Sequence, residues 1–137
     1  MNEEFVWERR PIDADSELFL LRGELDSSAA PGLRVALRRL FEDGERHSVV
    51  FDLNDVSFVD SVGLGVFFAA HRLAERCGGV AAIACVKETV SQSLQSTGLS
   101  RTIFVAPTRS DAIIYVSRAA HGHVDALDQA REDAANL

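Results

Sequence analysis

A small mixed α/β domain is predicted for this 137-residue chain, with about five strands in the order ββαβαβαβα and helices packed mainly on one face of the sheet. Three observations predict it. Residues 48–53 and 80–86 are apolar at consecutive positions, as in strands covered on both sides. The segments between strands carry apolar residues at helical spacing, one stripe each, so each helix has one face for the sheet. Residues 5–22 hold two strand-like stretches around a polar turn, which reads as an antiparallel hairpin.

The elements follow in order. Phe5 and Trp7 alternate with Val6 and Glu8, giving a strand over 5–10. Asp13-Ala14-Asp15-Ser16 is turn chemistry, and Leu18–Arg22 is the returning strand. Gly23-Glu24-Leu25-Asp26 leads out of it. Ser27 or Ser28 is expected to cap the first helix, with Pro31 in its opening turn. Leu33, Leu37, Leu40 and Phe41 form its buried face, Arg34, Arg38 and Arg39 lie mostly off that face, and Gly44 ends it.

Ser48–Leu53 is the expected central strand. The next helix starts at Ser61, buries Leu64, Phe67, Phe68, Ala70, Leu73, Ala74 and Cys77, and stops at Gly78-Gly79. The strand at 80–86 then returns parallel through a right-handed crossover. Thr89 is expected to cap a helix reaching about Thr97, with Gly98 and Leu99 forming its stop. A short strand at Ile103–Val105 precedes a last helix capped by Thr108 and Asp111, whose face is Ala112, Ile113, Tyr115, Val116 and Ala119. One domain is expected over 1–119, with an acidic extension, helical or loose, over 120–137.

Composition narrows the function. The net charge of −7 disfavours a nucleic-acid binder, which neutralises phosphates with Lys and Arg, and a binder of anionic membranes. No apolar run reaches the ~20 residues of a membrane span, and Met1-Asn2-Glu3-Glu4 does not open a signal peptide. A cytoplasmic protein is expected. Cys77 and Cys85 have no zinc or Cys-x-x-Cys spacing and sit at a helix end and a far strand end, so both are expected to be reduced thiols.

No familiar catalytic constellation stands out in the sequence. His121-Gly122-His123 lacks further ligands nearby, so no metal is expected. Gly63-Leu64-Gly65 has neither the third glycine of a dinucleotide fingerprint nor the Lys-Ser/Thr of a phosphate loop. Asp52, Asp55 and Asp60 read as turn and cap residues. No enzyme activity and no cofactor are expected.

The junction "FVDSVGLGVFF" at 58–68 stands out. Locally, Ser61 is a helix N-cap worth about 1 kcal/mol. Yet Gly63 and Gly65 weaken the first turn by about 1 kcal/mol each, and glycine there lets another surface approach the backbone. If the second and third strands are neighbours, Asp26 lies at the same mouth.

"GELD" at 23–26, "FDLNDVSFVDSVGLGVF" at 51–67 and "STGLSRTIFV" at 96–105 resemble the anti-sigma factor antagonists of the STAS domain class over about residues 5–119. The resemblance implies a bacterial regulator of transcription in stress-type responses. It implies partner switching with an anti-sigma factor serine kinase of histidine-kinase-like ATPase fold. The unmodified antagonist sequesters that kinase, phosphorylation releases it, and a serine phosphatase resets the protein. By motif position Ser61 is the phosphoacceptor, and Asp26, Asp60, Ser61, Val62, Gly63 and Leu64 form the partner-binding surface. Val62 stands where many relatives carry Ser or Thr, which leaves Ser61 as the only local acceptor. The alternatives are a STAS scaffold or signalling module with a non-sigma output, whose serine is not modified, and a small-ligand or nucleotide sensor.

Overall fold

A computed structural model of the protein describes residues 4–44 and 46–119. The acidic extension and its two histidines, read above from sequence, lie outside them. Five strands form one sheet in the order β1-β2-β3-β4-β5: Val6–Pro11, Ser16–Leu25, Ser48–Val59, Ala81–Ala84 and Phe104–Ala106. The predicted hairpin is present, with β1 antiparallel to β2, and every later pairing is parallel. The helices are α1 (Ala30–Glu42), α2 (Ser61–Arg76), α3 (Glu88–Ser96), α4 (Leu99–Thr102) and α5 (Arg109–Ala119).

Each parallel step adds a strand on the same side of the last. Crossovers of one hand then place their helices on one face. There α1 to α4 bury Leu33, Leu37, Phe67, Ala70, Leu94 and Leu99 against Phe19, Phe51 and Ile83. Three fully buried rings form a row through this core, Phe19 to Phe51 at 5.7 Å and Phe51 to Phe67 at 5.0 Å between centroids. Such aromatic pairs add about 0.5–1.5 kcal/mol each beyond their area. The last helix closes no crossover. It covers the opposite face with Ala112, Tyr115 and Val116 on Leu18, Val50, Ala82 and Ala106. β3 is therefore buried on both faces, as its consecutive apolar residues require.

Several bounds differ from the expectation. β3 runs six residues past Leu53 because β2, at ten residues, keeps pairing with it to Leu25↔Val59, with two register shifts on the way. β4 is shorter than 80–86. Asn54 Oδ1 accepts from the Val86 amide at 3.0 Å, so a side chain takes that residue out of the ladder. Gly98, at φ 80°, ends α3 as predicted, and Leu99–Thr102 then forms a further helical turn, giving ββαβαβααβα. Lys87, not Thr89, precedes α3, with no side-chain cap bond. At α5 the Asp111 amide does donate to Thr108 Oγ1, at 3.1 Å. Both cysteines are free.

Candidate functional site

The pairing of Leu25 with Val59 brings the ends of β2 and β3 to one corner of the sheet. Asp26 leaves one strand there and Asp60 leaves the other. The Asp60 amide donates to the Leu25 carbonyl at 3.2 Å, so the two chain exits are fastened at their first residue.

Asp60, not Ser61, caps α2. Its backbone is extended (φ −90°, ψ −178°), and Oδ1 accepts from the Gly63 amide at 2.8 Å. Oδ2 accepts from the Ser27 amide at 3.1 Å. Aspartate caps about as well as serine. Here the extended residue is the one before the serine, and Ser61 is already the first helical residue. The expected cap is corrected accordingly. The Ser61 side chain is exposed, and its hydroxyl has no hydrogen-bond partner among the described residues.

A parallel correction applies at α1. Its N-cap position is Ala29, without a side-chain bond, and neither Ser27 nor Ser28 caps it. Asp26 organises the approach instead. Oδ1 accepts from the Ser28 hydroxyl at 2.7 Å, the Ser28 amide at 3.1 Å and the Ala29 amide at 3.1 Å, while its carbonyl accepts from the Ala29 and Ala30 amides. These bonds, the Ser28 hydroxyl first, hold the Asp26 carboxyl below the usual aspartate value.

The surface around Ser61 is mixed. Val62, adjacent to the serine in sequence, is 42% exposed, and Phe58, near the end of β3, is 49% exposed. Phe58 was not among the expected site residues. The run Val56-Ser57-Phe58-Val59 puts Val56 and Val59 in the core and leaves Phe58 outside.

Gly63 and Leu64 lie beneath this surface. Leu64 is 6% exposed and belongs to the core. A methyl group on Gly63 would overlap the Leu25 carbonyl oxygen and stand 2.9 Å from Leu25 Cγ and 3.0 Å from Val59 Cγ1. The surface that approaches this glycine closely is therefore the end of β2 in the same molecule. At Gly65 a methyl would stand 2.9 Å from Nη2 of Arg34, the movable end of a long side chain.

Asp52 and Asp55, expected in turn chemistry, lie inside β3 because that strand runs on to Val59. Asp52 is buried, accepts from the Asn54 amide, and pairs with Arg109 Nε at 2.8 Å. Among the described residues no group of three or more His, Cys, Asp and Glu side chains is placed to hold a metal ion, and no helix is long and apolar enough to cross a membrane.

Sheet order, crossover helices on one face and a serine at the head of α2 define a small α/β domain of the STAS type. The model of the STAS domain matches residues 14–112, and the chain belongs to that family. It is 34% identical over 86 residues to the anti-sigma-B factor antagonist of Bacillus subtilis, a match covering 63% of this chain and 77% of that protein. It is 27% identical to the anti-sigma F factor antagonist of Paenibacillus polymyxa, over 68% of this chain and 80% of the relative. Among solved structures, an anti-sigma factor antagonist from Mycobacterium paratuberculosis superposes with a TM-score of 0.73 at 26% identity, over 83% of this chain and 95% of that one. The fold also matches the Bacillus cell-fate determinant SpoIIAA in its phosphorylated form, with a TM-score of 0.66 at 23% identity over 81% of this chain and 99% of that one.

Proposed function

We propose that this protein is an anti-sigma factor antagonist that acts in the cytoplasm by partner switching. Unmodified, it binds an anti-sigma factor that is also a serine kinase and so frees the sigma factor. Phosphorylated on Ser61, it releases that partner, and a serine phosphatase restores it. The names of its relatives support the antagonist reading. The observation that carries the switch is the Ser61 hydroxyl itself: exposed, without a partner among the described residues, and relieved of capping by Asp60. The proposed docking surface is Asp26, Asp60, Ser61 and Val62, given its shape from below by Gly63 and Leu64.

In the transfer, Ser61 Oγ attacks the γ-phosphorus of ATP held by the partner. The new O–P bond forms as the bond to the β-phosphate oxygen breaks, ADP leaves, and the hydroxyl proton passes to a base of the kinase. The product carries about −1.5 to −2 charges. At a helix N-terminus this is favourable by about 0.3–1 kcal/mol, because amides there lack intrahelical acceptors. Covering the same dianion with a partner costs several kcal/mol unless cations meet it. A loss of about 3 kcal/mol is roughly a hundredfold in affinity. Binding therefore responds to the modification much more than folding does.

The test is phosphate transfer from the cognate kinase and ATP. Label on the wild type and none on Ser61→Ala is expected, with Ser61→Asp binding the kinase at least tenfold more weakly. Absence of label on the wild type, or equal label on Ser61→Ala, removes the switch and leaves a STAS module with an unmodified serine.

A further inference from the structure

Arg34 lies in α1, half-buried, and its guanidinium has no hydrogen-bond or ion-pair partner among the described residues. Arginine is almost never fully buried unless paired, and a half-buried one keeps its guanidinium within reach of solvent or of a new partner. This one rests against α2 in the recess left by Gly65, where a methyl group would stand 2.9 Å from Nη2. Gly65 is one turn after Ser61. Positions four apart share a helix face, with Cβ sites about 6 Å apart. Each Cα–Cβ bond also tilts toward the helix N-terminus. A cation at the Cβ site of Gly65 therefore lies under the turn that carries Ser61. The two nearby carboxylates do not hold it. Asp60 is engaged by the Gly63 and Ser27 amides, and Asp26 by Ser28 and Ala29.

We propose that Arg34 is the internal counter-ion of the Ser61-phosphorylated protein, its guanidinium moving up from Gly65 to pair with the phosphoryl oxygens. This inference rests on Ser61 being the phosphoacceptor. Arginine matches phosphate with parallel N–H···O bonds and stays charged at any working pH. The pairing turns the new charge inward onto α1 and α2, against the repulsion of Asp60 and Asp26. A partner cation that would otherwise meet the phosphate is thereby deprived of it, which sharpens release.

The experiment is a ³¹P NMR titration of protein carrying phosphoserine at 61 by genetically encoded incorporation, which needs no kinase. The second phosphate pKa is expected to be lower with Arg34 than in Arg34→Gln by about one unit, with Arg34→Lys between them. Equal pKa values in folded wild-type and Arg34→Gln proteins overturn the proposal. Should Arg34→Gln not fold, the Arg34 Nε–H resonance of the wild type decides: it shifts downfield on phosphoserine incorporation if the pair forms, and an unmoved resonance overturns it. Failure of kinase labelling alongside a clear titration difference sinks the phosphoacceptor reading alone. Labelling with identical titrations sinks only the role of Arg34.

Discussion

Ser27 and Asp60, 33 positions apart, are joined by a 3.1 Å hydrogen bond from the Ser27 amide to Asp60 Oδ2. The other oxygen of the same carboxylate holds the Gly63 amide. One side chain thus ties the loop after β2 to the head of α2. Asp60→Ala is expected to cost about 1–2 kcal/mol in urea unfolding, the range of a strong cap. Asp60→Asn keeps one acceptor oxygen and is expected to lose less. An alanine variant as stable as the wild type would contradict this assignment of the cap.

Ser61→Ala is expected to change stability by less than about 0.5 kcal/mol, as for an exposed residue away from caps and core. A thermal melt of the two proteins checks it. A loss near 1 kcal/mol would mean that the hydroxyl does hold the helix start.

The two glycines of the motif are expected to part company. Gly63→Ala forces Cβ onto the Leu25 carbonyl and is expected to destabilise by about 1–3 kcal/mol, as overpacking does. Gly65→Ala meets only the Arg34 guanidinium, which can swing away, and gains helix propensity of up to about 1 kcal/mol. Parallel denaturant curves read both. Gly63→Ala with native stability but no partner binding would instead assign that glycine to the interface.

Asp26 sets an acid limb. Its folded pKa lies below the 3.8 of an ordinary aspartate, with the Ser28 hydroxyl as the main cause. A depressed carboxylate contributes stability that is present above the unfolded pKa and is lost as pH falls through the folded one. The contribution of Asp26 is therefore complete above about pH 4 and fades below it. Carboxyl ¹³C titration is expected to show Ser28→Ala moving the Asp26 pKa upward; an unchanged value would remove the hydroxyl as the cause.

Cys85 gives the opposite limb. Burial, first among its causes, raises its pKa above 9.0. A raised thiol contributes stability below the unfolded pKa that is lost as pH rises through the folded one, so its share disappears above about pH 9. At pH 8, half-buried Cys77 is expected to react with a thiol reagent faster than Cys85, and the reverse order would contradict the burial argument.

Much of this fold is legible in the residues. Consecutive apolar positions mark β3 and β4 as interior, and 3.6-residue stripes mark the helices. Those patterns say that a residue is buried but not under which layer, so α5 on the far face was hidden. Strand ends depend on neighbours: β3 outlasts its apolar run because β2 goes on pairing with it. Caps are decided by φ and ψ, which a sequence of adjacent Asp and Ser does not reveal. Asp60 takes the cap that serine propensity assigns to Ser61, while Ala29, without a side-chain bond, stands at the N-cap of α1 in place of Ser27 or Ser28. Grouping Asp26 with Asp60 needed only strand adjacency and succeeded. The sequence marks Arg34 only as a charged residue off the apolar face, because the recess it enters is left by Gly65 on another helix.

Because Asp60 carries the cap, the folded population is nearly indifferent to what happens at Ser61. Chaperones and proteases sort proteins by how often they unfold. A change at this hydroxyl gives them little to sort on. Under the switch proposed above, the amount of protein in the cell and its modification vary independently.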